Sequence, residues 1–123
     1  MLKLSNPQHE VDQIVDFIQT TFKSQKKEKA VVAVSGGIDS SLSLTLLVKA
    51  LGSEKVTAVL LPYGDQSTSS AEQILEFSQV PEENRQEINI KKMVDQIWSE
   101  LDRGGSQRLR KGNIIARVRM IVI

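Results

Sequence analysis

The side chains and backbone with the most chemical content lie in one contiguous run, Ser35-Gly36-Gly37-Ile38-Asp39-Ser40. Adjacent glycines let a backbone turn sharply and approach a ligand closely. A helix starting directly after them would aim its unpaired amides, and the positive end of its dipole, into the same space. Such a corner binds anions through amides and hydroxyls rather than through a lysine. Neither the Lys-containing nucleotide loop (Gly, four residues, Gly-Lys-Ser/Thr) nor the dinucleotide pattern G-x-G-x-x-G occurs in the chain. A carboxylate beside a bound polyphosphate needs a cation to offset repulsion, which makes Asp39 a candidate Mg²⁺ ligand that leaves waters in the coordination shell. The plainer alternative is a tight strand-to-helix turn in which Asp39 or Ser40 only caps the helix.

Few other residues offer chemistry. With no cysteine, disulfides, thiolate metal sites and thiol nucleophiles are all excluded. His9, the single histidine, sits on an amphipathic segment far along the chain from the glycine turn, so neither a histidine triad nor a zinc site can be assembled. Trp98 reads as core filler on its helix. Gln66 carries both donor and acceptor and could read the edge of a base, or could be an exposed turn residue. Arg117 and Arg119, two positions apart, would lie about 200° apart on a helix and cannot both grip one ligand group.

The 16 basic and 15 acidic side chains leave a net charge of +1, too little for a general field that attracts nucleic acid. The basic cluster Arg103, Arg108, Arg110, Lys111, Arg117 and Arg119 lacks the interleaved aromatics of a single-strand binder. No apolar run approaches the roughly 18 residues of a membrane span. With 40% apolar and 25% charged residues the chain has the composition of one globular domain, expected to be cytoplasmic.

The elements that must position the turn can be read from periodicity. Asn6-Pro7 is a helix start, followed by Val11, Ile14, Val15, Ile18 and Phe22 at helical spacing, up to the charged run Lys23 to Lys29. Ala30 to Val34 is apolar without alternation, the mark of a strand covered on both faces. After the glycines, Leu42, Leu46, Leu47 and Ala50 predict a helical stripe that Gly52 closes. Val56 to Leu61 predicts a second strand stopped by Pro62, and Ser67 a cap for a helix through Ala71, Ile74, Leu75 and Phe77. A weaker strand is expected around Glu87 to Ile90, then a helix marked by Met93, Val94, Ile97, Trp98 and Leu101, and a flexible loop at Arg103 to Ser106. A final helix from Gly112 to Ile123 would share Ile114, Val118 and Ile121 on one face, with Ile115 and Val122 beside them. Ending inside an apolar segment, it looks interrupted or completed by a partner. Alternating strands and helices predict an α/β fold with a doubly wound parallel sheet.

Ser-Gly-Gly-x-Asp-Ser after a hydrophobic strand resembles the signature of the ATP-pyrophosphatase (PP-loop) superfamily, whose members activate an oxygen as its AMP ester and release pyrophosphate. Leu61-Pro62-Tyr63-Gly64-Asp65-Gln66 resembles the segment that NAD synthetases place beside the adenine. Lys111-Gly112-Asn113-Ile114-Ile115-Ala116-Arg117-Val118-Arg119-Met120 is similar to their Lys-Gly-Asn-x-x-Ala-Arg-x-Arg-Met stretch. The resemblance spans nearly the whole chain and is weakest between about Thr68 and Gln107.

That resemblance implies one ATP-pyrophosphatase domain over residues 1–123, truncated at its C-terminal end, because relatives continue with a Gly-Thr-x-x-x-x-Glu segment that carries a second magnesium ligand. It implies an ammonia-dependent ligase of NAD biosynthesis that amidates deamido-NAD at the expense of ATP. ATP would lie against Ala33, Val34, Ser35, Gly36, Gly37, Ile38, Asp39, Ser40 and Gln66, with Mg²⁺ on Asp39 and no protein nucleophile. Arg119 would bind deamido-NAD, and Arg117 would serve the substrate or an ion pair that positions the helix or joins subunits. Relatives are homodimers, and no nucleic acid or membrane partner is implied. Two alternatives remain at this level: a truncated, non-catalytic nucleotide-binding module, and another PP-loop adenylating enzyme such as a tRNA-modifying ligase.

Overall fold

The computed structural model describes residues 6–101 and 108–123. Its centre is a three-stranded parallel sheet of β1 (Ala30–Ala33), β2 (Val56–Leu60) and β3 (Arg85–Glu87), in the order β1-β2-β3. In register, Ala30 faces Val56 and Ala33 faces Val59 across the first pair, while Leu60 faces Glu87 across the second. Parallel neighbours need crossovers, and α2 (Ile38–Leu51) and α3 (Ser69–Phe77) supply them.

The sheet is covered on both sides because β2 carries apolar residues on both of its faces. Val56, Ala58 and Leu60 pack with Val34, Leu44, Ala71, Leu75 and Val80 under α2 and α3. Val59 and Leu61 pack with Ile90, Val94 and Val118 under α4 (Lys91–Leu101) and α5 (Arg108–Val122). The expected doubly wound arrangement is therefore present in this chain. The amphipathic α1 (Pro7–Ser24) adds an outer layer on α2, where Gln19 donates to the Ala50 carbonyl at 2.9 Å. Its start is the expected one: Asn6 accepts from the Gln8 amide at 3.1 Å and Pro7 opens the first turn.

Four local expectations are corrected. On α2 the buried stripe is Leu44, Leu47, Val48 and Leu51, whereas Leu42 is 55% exposed; the helix is apolar nearly all round, so periodicity alone could not select the face. Phe77, expected in the stripe of α3, is exposed at that helix's last residue. Ile121 is exposed, because α5 meets the sheet through Ile114, Ile115, Val118 and Val122. The third strand begins two residues earlier than expected, at the polar run Arg85–Glu87, yet the ladder continues as Ile88 and Ile90 donate to the Leu60 and Pro62 carbonyls, both at 2.9 Å. Polar residues suit an edge strand, which hides this one from a search for apolar runs. The loop expected at Arg103 to Ser106 lies outside the described residues.

Candidate functional site

β1 ends at Ala33 and α2 starts at Ile38, so the glycine turn joins the carboxyl end of a parallel strand to the amino end of a helix. Gly36 has φ of +85°, and a Cβ there would come within 2.6 Å of the Ser70 Cβ and 2.7 Å of the Ala71 amide nitrogen. Only glycine satisfies both the backbone angle and this close packing against the start of α3. The turn is then closed by hydroxyls. The Ser35 amide donates to Ser40 Oγ at 3.1 Å, the two hydroxyls lie 3.1 Å apart, and the Gly37 amide donates to Ser35 Oγ at 3.3 Å.

With this hydroxyl bridge formed, neither Asp39 nor Ser40 caps the helix. The N-cap of α2 is Gly37, and no side chain caps the helix. Ser40 is occupied with Ser35 and the Gly37 carbonyl, and Asp39 is exposed in the first turn. The first-turn amides are thus left without a capping side chain, in contrast to α1, where Asn6 fills that role. The arrangement offers amide donors, a positive dipole end and one free carboxylate in one place.

Beside the turn is a cavity of about 200 Å³ off the carboxyl ends of β1 and β2, the position where open α/β sheets hold ligands. It brings together Ala33, Val34, Ser35, Gln66 and Arg119 of the residues singled out from sequence. Gly36, Gly37, Ile38, Asp39 and Ser40 continue from its edge along the turn, with Ile38 strongly exposed. Arg117 is exposed and is not part of the cavity wall, whereas Arg119 is half-buried within it. Arg119 reaches back from α5, donating Nε to the Leu61 carbonyl at 3.0 Å and Nη2 to Gln66 Oε1 at 3.0 Å. Ser67 and Thr68 also line the cavity, although the serine-threonine run gave little signal in sequence.

A second group supports the Tyr63 to Gln66 turn and was not foreseen. Asn89 both accepts from the Gly64 amide, at 3.0 Å, and donates to the Gly64 carbonyl, at 2.8 Å. The Tyr63 hydroxyl donates to Asp95, which also pairs with Lys91, and Lys111 lies 3.6 Å from the same carboxylate. Both ammonium groups sit over the Tyr63 ring, at 5.7 Å for Lys91 and 5.2 Å for Lys111. The hydrogen bonds from Lys91 and then Tyr63 hold the Asp95 carboxyl below its ordinary range. Asp95 in turn raises Lys91, and Lys111 is raised chiefly by Tyr63 and then by Asp95. These residues are separated by 25 or more positions from the turn they support, so no local spacing announces them.

Among the described residues, no group of three or more His, Asp or Glu side chains could hold a metal ion alone. Asp39 could supply one carboxylate to Mg²⁺, which takes one or two carboxylates, several waters and the oxygens of a bound polyphosphate. No helix among the described residues is long and apolar enough to cross a membrane.

A parallel sheet wound on both faces, with a Ser-Gly-Gly-x-Asp-Ser turn leading into an uncapped helix, defines a PP-loop domain. Within that class the chain belongs to the NAD synthase family, whose model matches residues 10–123. It is 36% identical over 115 residues to the NH(3)-dependent NAD(+) synthetase of Fusobacterium nucleatum, covering 91% of this chain and 43% of that protein. Its structure is similar to that of the NH3-dependent NAD synthetase from Campylobacter jejuni, with a TM-score of 0.84 and 27% identity over 97% of this chain and 51% of the other. It is also similar to the glutamine-dependent NAD+ synthetase from Acinetobacter baumannii in complex with ADP, with a TM-score of 0.82 and 25% identity over 99% of this chain and 24% of the other. The chain thus spans about half the length, or less, of the relatives it matches.

Proposed function

We propose that this chain carries the ATP-binding part of an ammonia-dependent NAD synthetase, a ligase that converts deamido-NAD to NAD. The observation that carries the proposal is the pairing of an uncapped helix start at Gly37 with the adjoining cavity off β1 and β2. The triphosphate would lie against the amides of Ile38, Asp39 and Ser40 and the hydroxyl of Ser35, with the base in the cavity beside Gln66. A relative of the same fold is described in complex with ADP, which supports nucleotide binding by this family.

In the reaction, the nicotinate carboxylate of deamido-NAD attacks the α-phosphorus of ATP. A carboxyl–phosphorus bond forms as the bond to pyrophosphate breaks, and ammonia then displaces AMP to leave the amide. Positioning and charge stabilisation suffice, so no protein nucleophile is needed. The α2 amides and dipole would stabilise the negative charge that builds on the departing pyrophosphate. Mg²⁺ held by Asp39 would neutralise the polyphosphate. The protein is proposed to act in the cytoplasm as a homodimer, consistent with the exposed Met120 and Ile121 on α5. Calorimetric titration with ATP, with and without Mg²⁺, tests the nucleotide site. An assay of pyrophosphate release and NAD formation from deamido-NAD, ATP and ammonia tests the reaction. Magnesium-dependent ATP binding is expected; pyrophosphate release driven by a different acceptor would replace this proposal with another adenylating activity.

A further inference from the structure

We infer that Arg119 is a positioning residue that fixes which end of the Gln66 amide faces the base, and so sets base selectivity without touching the base. The inference rests on the nucleotide lying in the cavity beside Gln66, as proposed above. Gln66 Oε1 accepts from Arg119 Nη2 at 3.0 Å and from the Tyr63 backbone amide at 3.3 Å. A guanidinium and a backbone amide can only donate, so the amide oxygen must face them and the NH2 group must face away. Among the described residues that NH2 group has no protein partner, and Gln66 lines the cavity. Arg119 cannot easily release its hold. Its Nε is committed to the Leu61 carbonyl at 3.0 Å, and the neighbouring Val118 is buried under the sheet.

Without Arg119 only the 3.3 Å bond from the Tyr63 backbone amide holds that oxygen, and Gln66 could turn its amide over to present either a donor or an acceptor. Pinned, it presents donors only. A donor can pair with an unprotonated ring nitrogen, which adenine offers at N1; at the same position guanine carries an N–H, and two donors would face each other. A fixed polar group rejects the mismatched ligand more strongly than it favours the matched one, because a base covering the otherwise exposed Gln66 would leave mismatched groups unpaired. Arg119 therefore confers preference for adenine through Gln66. This differs from the role implied by resemblance, in which Arg119 binds the dinucleotide directly.

The test is calorimetric titration of the full chain with Mg²⁺ and ATP, GTP or pyrophosphate, on the wild type, Arg119→Lys, Gln66→Met and the double variant. Lysine keeps the charge but not the planar fork that serves two acceptors at once. Arg119→Lys should lower the preference for ATP over GTP by about five- to tenfold, the worth of one hydrogen bond, with pyrophosphate binding unchanged. In the Gln66→Met background the same change should have no further effect on that preference. A second variant, Gln66→Glu, keeps a partner for Arg119 but turns acceptors toward the base, and should weaken ATP binding while pyrophosphate binding persists. An unchanged preference in Arg119→Lys, or additive effects in the double variant, would overturn the inference. A wild type that binds neither ATP nor pyrophosphate would instead overturn the nucleotide-site proposal on which it rests.

Discussion

At Gly36 two independent constraints meet, a positive φ and a gap with no room for a methyl group beside Ser70 and Ala71. Gly36→Ala should therefore cost about 2–4 kcal/mol, from backbone strain together with overpacking. Chemical denaturation reads that loss, and an alanine variant as stable as the wild type would show that the turn relaxes freely. Asp39 contributes differently. It is exposed and bonds to nothing that holds the fold, so Asp39→Asn should leave stability within about 0.5 kcal/mol while removing most of the magnesium dependence of ATP affinity. Unchanged magnesium dependence in that variant would mean that another group holds the ion. The composition of this corner was legible in the sequence, because paired glycines and hydroxyls between an apolar strand and a helix carry their chemistry in their types. The Arg119 partner of Gln66 was not, since Arg119 reaches it only once α5 has folded across the end of β2.

Elements were legible where propensity and periodicity agreed. α1 begins at the expected cap, and β1 and β2 fall within a residue of their expected limits. The faces of helices were harder: α2 is apolar on most sides, and only packing shows that Leu44 rather than Leu42 enters the core. Leu44→Ala should accordingly cost about 2–5 kcal/mol. Leu42→Ala, at an exposed position, should cost no more than about 0.5 kcal/mol. Equal losses in urea denaturation would return the face to the sequence-based assignment.

The joint between α4 and α5 also makes a pH prediction. The Asp95 carboxyl is held below 3.8, so its contribution is present above that pH and fades as pH falls through the lower, folded-state value. Lys91 and Lys111 are raised above 10.5, so theirs is present below that pH and fades as pH rises through the folded-state values. Asp95→Asn should thus be less stable than the wild type between these limits, with the gap closing toward acid. A gap that widened on acidification would contradict the ion-pair assignment.

For the molecule as a whole, the sheet is closed on both faces but leaves apolar surface at its margins. Val31 on β1 is 56% exposed, and Met120 and Ile121 on α5 are 76% and 80% exposed. Exposed apolar side chains such as Met120 and Ile121 favour association, and light scattering should show a dimer whose population falls in Ile121→Lys. A monodisperse monomer at all concentrations would remove the homodimer from the proposal. The fold class followed from the alternation of elements, whereas which outer surfaces stay open depends on neighbours that pattern alone does not name.

The central claim is that main-chain amides at the start of α2 grip the polyphosphate of a nucleotide. Crystals grown with ATP and Mg²⁺ test it most directly. The triphosphate should lie against the amides of Ile38, Asp39 and Ser40, with the metal on Asp39 and the base beside Gln66. A triphosphate bound elsewhere on the protein, with this corner empty, would contradict the account.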